Sequence, residues 1–263
     1  MFRKLPLLLF TSWLFNTALP AYANVPQRPP LPLRELLPPA ALSKPHTPSL
    51  TRPMPPHGPT LTLTITIRQN PKSEPVAINV SGQHVTSQDL HTIHLVPNLT
   101  SLFISQNPAL GDAGMQQLTS CTLLSILDAS ETGIGDAAFK HFAKLPLKIL
   151  FAAGNPKITG DGLGYLRGHP SLETLSLNDC PVESRHLEPL ASCPKLSQLN
   201  LGGTKLDDAA IPLLVKIPNI KLINIQRTAI SEEGRQRLAR LLPGAYIIGP
   251  KPDQFIVPPA PSH

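Results

Sequence analysis

The residues best equipped for chemistry in this 263-residue chain are three cysteines and two closely spaced histidines. Cys121, Cys180 and Cys193 form an odd set, which argues against a disulfide framework. A catalytic thiol needs an electropositive setting. All three instead read as small buried residues, Cys121 and Cys193 at the turn that ends a repeat and Cys180 at a core position of the repeat set out below. His91 and His94 lie three apart and could share a metal on one helix face. No carboxylate or cysteine at a helpful spacing completes such a site, so a solvated face is expected. Gly160-Asp161-Gly162-Leu163-Gly164 is glycine-rich but lacks the lysine and spacing of a phosphate loop. No Gly-x-Ser-x-Gly occurs. The expectation is a chain that is not an enzyme, with no catalytic residue, no cofactor and no metal.

A repeat organises the middle of the chain. With a leucine as position zero, apolar residues recur at +3 and +5, a small or polar residue at +8, and another apolar at +10. Leu172, Leu175, Leu177, Cys180 and Val182 form one copy; Leu196, Leu199, Leu201, Thr204 and Leu206 form the next. Copies start at residues 75, 99, 124, 147, 172, 196 and 220, spaced by 24, 25, 23, 25, 24 and 24 residues. The second and fourth copies carry one extra residue after Asn107-Pro108 and Asn155-Pro156. Two apolar residues three apart follow in each copy, such as Met115/Leu118, Phe139/Phe142, Leu163/Leu166, Leu187/Leu190 and Ile211/Leu214. That spacing fits one face of a short helix. Thr86, Ser184 or Asp207 precedes as a helix-starting residue, whose side chain can accept from the first free amides. Each unit is therefore strand, turn, short helix, turn. The +8 side chain is expected to turn inward and serve backbone groups at the bend, because buried amides need partners.

The pattern Leu-x-x-Leu-x-Leu-x-x-(Asn/Thr/Cys)-x-(Leu/Ile/Val) resembles the leucine-rich repeat. Continuations such as Leu110-Gly111-Asp112-Ala113-Gly114 and Ile134-Gly135-Asp136-Ala137-Ala138 look like its helix-bearing subclass of roughly 24 residues, common in bacterial proteins. The resemblance covers residues 75–243. It implies an α/β fold: a leucine-rich-repeat solenoid with a curved parallel sheet on the concave face and short helices on the convex face. Stacking puts strands about 4.8 Å apart and builds one continuous core. Cys121 and Cys193, three repeats apart, are then too distant for a disulfide, which needs α-carbons within about 7 Å. Cap strands are expected from Leu61, Leu63, Ile65 and Ile67 at the front and Tyr246-Ile247-Ile248 at the back.

Side chains alternate across a strand, so positions +2 and +4 face the concave side. Phe103, Ile126, Ile149 and Phe151 then fall on adjacent rungs as an exposed apolar patch, flanked by Asp128 and Glu131. Later rungs carry an amide- and hydroxyl-rich stripe that includes Ser176, Gln198, Asn200 and Asn224. These residues are the candidate partner-binding surface, because exposed apolar patches mark docking sites. Arg235, Arg237 and Arg240 surround Leu238, Leu241 and Leu242 on the last helix, where a solvated outer face is expected.

The ends differ in kind. Residues 1–23 read as a signal peptide, with Arg3 and Lys4, an apolar run from Leu5 to Phe15, and Ala21-Tyr22-Ala23. Residues 24–60 hold 12 prolines in 37 positions and read as a disordered spacer. Residues 250–263 read as a proline-rich disordered tail, leaving 61–249 as a solenoid of about seven repeats. The net charge of +6 divides unevenly. Residues 61–249 hold 16 basic and 15 acidic residues, so the excess lies mainly in the leader and spacer. That distribution points away from nucleic acid and toward a protein partner. The expected protein is exported, periplasmic or secreted. It is a monomer with no integral membrane segment in its mature chain, and it mediates protein-protein interaction at a host or cell-envelope interface. The alternatives are an envelope scaffold with a proline-rich spacer arm, and a regulator of an enzyme.

Overall fold

A computed structural model describes residues 76–249 and 255–256. The leader, the 24–60 spacer and the expected front cap strand around residues 61–67 lie outside the described residues. Nine short strands form one sheet in strict chain order. They are β1 (Val76–Asn79), β2 (Leu99–Phe103), β3 (Ile126–Asp128), β4 (Ile149–Phe151), β5 (Thr174–Ser176), β6 (Gln198–Asn200), β7 (Leu222–Asn224), β8 (Tyr246–Ile248) and β9 (Phe255–Ile256). The first eight are parallel, and β8 is the back cap strand read from the sequence. The antiparallel β9 falls inside the tail expected to be disordered. It pairs Ile247 with Ile256 and Ile248 with Phe255, so this short apolar interval between prolines extends the sheet.

Register follows the repeat. Leu102, Leu127, Leu150, Leu175, Leu199, Ile223 and Ile247 are successive partners, one per rung. A slip of one residue would turn this whole row out of the core, which is why the leucine spacing specifies the pairing. The helical halves are short. α1 (Gly111–Gln117), α2 (Phe139–Phe142), α3 (Ile211–Leu214) and α4 (Glu232–Leu241) are α-helical, whereas Asp89–Leu95, Asp161–Leu166 and Ser184–Ser192 are 3₁₀ turns. Segments this short cannot hold themselves together in water, so packing sets their form. Ser184–Ser192 also contains Pro189, which has no amide to donate.

The apolar pairs on the helical side are all buried: Met115, Leu118, Phe139, Phe142, Leu163, Leu166, Leu187, Leu190, Ile211 and Leu214. Phe139 and Phe142 meet edge to face, with centroids 5.5 Å apart. The +5 positions of repeats three and four hold small buried residues, Ala129 and Ala152. Gly162 lies against Phe139. A β-carbon there would stand 2.7 Å from Phe139 Cδ2 and 2.5 Å from the Asp136 carbonyl oxygen.

The +8 residues turn inward as expected. Asn155 accepts from the amides of Thr132 (3.0 Å) and Gly133 (2.9 Å) and donates to the carbonyls of Ala129, Ala152 and Ala153. Asn107 does the same for Val85, Val80, Ile104 and Ser105. Thr132, Thr204 and Thr228 each return one hydroxyl bond to the carbonyl three residues back. A second polar ladder was not anticipated. Asp112, Asp136 and Asp208 each accept a backbone amide from the next repeat, from Gly135, Gly160 and Ser231 among others. Burial pushes the Asp136 carboxyl up, but the Thr159 hydroxyl and the amides of Gly162, Thr159 and Gly160 outweigh it, leaving the group below its ordinary value. Of the expected caps, Asp207 accepts from Ala209 as foreseen. Ser184 instead donates to Asp207, and Thr86 donates to Asp89.

Candidate functional site

The concave face is built by positions +2 and +4 of each rung, and register aligns them in two rows. One runs Ser101, Ile126, Ile149, Thr174, Gln198 and Leu222; the other runs Phe103, Asp128, Phe151, Ser176, Asn200 and Asn224. Phe103, Ile126, Ile149 and Phe151 are partly exposed, on rungs β2 to β4. Their phenyl and branched side chains suit a pleated surface by propensity, and here they do so away from the core.

The polar residues depart from expectation. Asp128, Ser176, Asn200 and Asn224 face the concave side but are buried, at 4%, 0%, 3% and 4% exposure. Gln198 is partly exposed, as are Asn178 and Gln226, the amides at +6 of repeats five and seven in the same polar stripe. Facing a side does not guarantee contact with water. Short residues in rungs about 4.8 Å apart are walled in by their neighbours along the row. Two of the four are held by their own turns: Asp128 Oδ1 accepts from the Ser130 amide (3.1 Å), and Asn224 Oδ1 from the Gln226 amide (3.0 Å). Ser176 Oγ and Asn200 Nδ2 are buried without a hydrogen-bond partner.

The strand ends hold a feature the sequence reading missed. Position +7 has a positive φ in every copy: Gly82, Gln106, Glu131, Gly154, Asp179, Gly203 and Arg227. Three glycines in that column were the available signal, since the left-handed region favours glycine. At Gly203 the space is also needed. Asp179 and Arg227 form a two-pronged ion pair (2.7 and 3.0 Å) across it, and a β-carbon on Gly203 would meet Asp179 Oδ1 at 2.2 Å.

The reactive candidates do not assemble a site. All three cysteines are free and buried. Burial pushes the Cys180 thiol up to about 11, and its Sγ donates to the Ala152 carbonyl (3.2 Å), so it stays protonated at neutral pH. Burial also raises Cys121 and Cys193. His91 and His94 are exposed, with ring centroids 6.2 Å apart. Among the described residues no group of three or more His, Cys, Asp or Glu could hold a metal. Gly160 has φ of 110° and backs onto the His186 ring, so the glycine-rich run serves packing. Among the described residues no helix is long and apolar enough to cross a membrane. On α4, Arg237 and Arg240 are exposed as expected, but Arg235 is buried at 7% and paired with Glu232, one turn back. Its stem fills the slot that an apolar residue takes in other repeats, and Glu232 compensates its charge.

No protein-family model matches the sequence, and no curated protein matches it. Solved structures do resemble it. A chain of the yeast Rad7 and Elc1 complex matches 64% of this chain and 45% of its own length, at 22% identity and a TM-score of 0.53. This chain therefore spans less than half of that one. Internalin C2 from Listeria monocytogenes matches 59% of this chain and 73% of its own length, at 22% identity and a TM-score of 0.45. At such identity the Rad7 and Elc1 likeness speaks for the fold alone. Together with the unbroken parallel register and the inward +8 ladder, it shows that the chain folds as an α/β solenoid of the leucine-rich-repeat type.

Proposed function

We propose that this chain is an exported, non-catalytic protein that binds another protein through its concave face. The observation that carries the reading is the partly exposed apolar group of Phe103, Ile126, Ile149 and Phe151 on three consecutive rungs. Solvent-facing apolar clusters on a rigid scaffold favour macromolecular docking, where a few central side chains dominate affinity. The buried thiols support a binding role over a covalent one. The repeats belong, in this reading, to the roughly 24-residue helix-bearing subclass, acting as a monomer at a host or cell-envelope interface. Export rests on the charged, apolar and small-residue order of residues 1–23.

The test is Phe103→Asp combined with Phe151→Asp. Both side chains lie on the sheet surface, so the double variant keeps the fold, checked by circular dichroism, and loses a partner captured by crosslinking in the native host. Unchanged capture by a folded double variant overturns the site. Fractionation of the same host tests export: recovery in the cytoplasm alone overturns it.

A further inference from the structure

We infer that the row Phe103–Asp128–Phe151 seats a basic side chain, lysine or arginine, of a polypeptide partner; this rests on the concave-face reading above. Register places Asp128 directly between the two phenylalanines, one rung from each. At about 4.8 Å per rung, a cation above Asp128 lies about 5 Å from either ring position, within the roughly 6 Å reach of a cation–π contact. Asp128 Oδ1 is engaged by the Ser130 amide, and Oδ2 accepts no hydrogen bond among the described residues. Ile126 and Ile149 beside it suit the apolar stem that a lysine or arginine carries behind its charge.

The charge balance of the face selects the sign. Across positions +2, +4 and +7 of the described rungs, the charged residues are Asp128, Glu131, Asp179 and Arg227. Arg227 is already held by both oxygens of Asp179. What remains uncompensated is negative, in repeat three alone, where the apolar group also lies. A polyanion would be repelled there, and a purely apolar segment would bury a carboxylate without a partner, which is costly. A basic residue with apolar neighbours satisfies both.

A second observation sets the direction. Continuing along the row from Phe151 come Ser176 and Asn200, buried, with Oγ and Nδ2 unpartnered. Asn200 is three rungs from Asp128, about 14 Å. An extended chain covers that in about four residues, so a peptide running along the stack offers a backbone carbonyl to Asn200 while its basic side chain sits over Asp128.

The experiment uses the full chain on a positional-scanning array of acetylated hexapeptides, with Asp128→Asn and the Phe103→Asp/Phe151→Asp variant alongside. Asparagine keeps the acceptor for the Ser130 amide. The expected result is selection of lysine or arginine at one position beside leucine, isoleucine or phenylalanine. That selection falls about tenfold in Asp128→Asn and weakens with salt in the unaltered protein. Selection of acidic or neutral residues there, a basic preference unchanged in Asp128→Asn, or no array binding overturns the inference. Peptides bound without basic preference, and lost in the double phenylalanine variant, overturn the basic seat and leave the concave-face reading standing. Equal binding by all three proteins overturns both.

Discussion

Repeats two to four and repeats five to seven share one backbone plan and fill it differently. In repeats three and four, the small Ala129 and Ala152 hold the +5 strand position, and the helical side of repeat three carries the bulky buried pair Phe139 and Phe142. In repeats five to seven, Leu177, Leu201 and Ile225 occupy the same strand position, opposite Leu187, Leu190, Ile211 and Leu214. The polar bend follows residue type and not this division: Asn107, Asn155 and Cys180 tie neighbouring repeats together, whereas Thr132, Thr204 and Thr228 close only their own bends. Outside, the first group shows partly exposed apolar residues to the concave side and the second mostly buried polar ones. The two groups thus keep one backbone pairing while the sizes of the residues at +5 and on the helical side differ.

The comparison breaks most readily at its aromatic pair. Phe139→Ala leaves a cavity that Gly162 cannot close, and is expected to cost about 3–5 kcal/mol in urea unfolding. Loss near 1 kcal/mol would show that the aromatic pair does not hold this part of the core. Asn155→Ala strands the buried Thr132 amide and its neighbours and is expected to cost at least about 2 kcal/mol. Thr204→Val removes one bond and is expected to cost about 1 kcal/mol. Equal losses would remove the distinction between the two kinds of bend. Gly162→Ala is expected to destabilise by about 1–3 kcal/mol through contact with the fixed Asp136 backbone. Combining it with Phe139→Leu relieves only the ring contact, so incomplete rescue is expected.

The smallest expected effect is on pH. His141 and His169 are both buried toward the first group. Burial lowers both pKa values, joined at His141 by the Lys140 and Lys144 charges and opposed at His169 by its backbone partners. The folded state then binds fewer protons than the unfolded state, whose histidines titrate near 6.5. Their contribution is intact above about pH 6.5 and is lost as pH falls through that value toward the folded pKa. Hydrogen exchange between pH 7.5 and 5.5 should show protection falling first in rungs β4 and β5, before β7. Uniform loss, or loss beginning at β7, contradicts this assignment.

Much of the scaffold was legible because each rung repeats one physical demand. The leucine spacing set the register, the apolar pairs three apart marked the helical side, and Asn155 or Thr204 marked the bend. What escaped the reading depends on curvature and neighbours rather than on alternation. Asp128 and Ser176 face the concave side as their parity requires, but burial there follows from the size of the adjacent rung's side chains. The left-handed +7 column was hidden because Glu131, Asp179 and Arg227 adopt it alongside the glycines. Arg235 was assigned to solvent by its charge, whereas its helical position put it in the core with Glu232 alongside. Phe255–Ile256 was passed over because two residues between prolines carry no periodicity.

The proposed docking surface lies on rungs β2 to β4. The direct measurement is photo-crosslinking in the native host, with a benzophenone amino acid placed singly at Ile126, Gln198 and Arg237. Adducts concentrated at position 126, weaker at 198 and absent at 237 are predicted. Adducts strongest at 237, on the exposed side of α4, would contradict it.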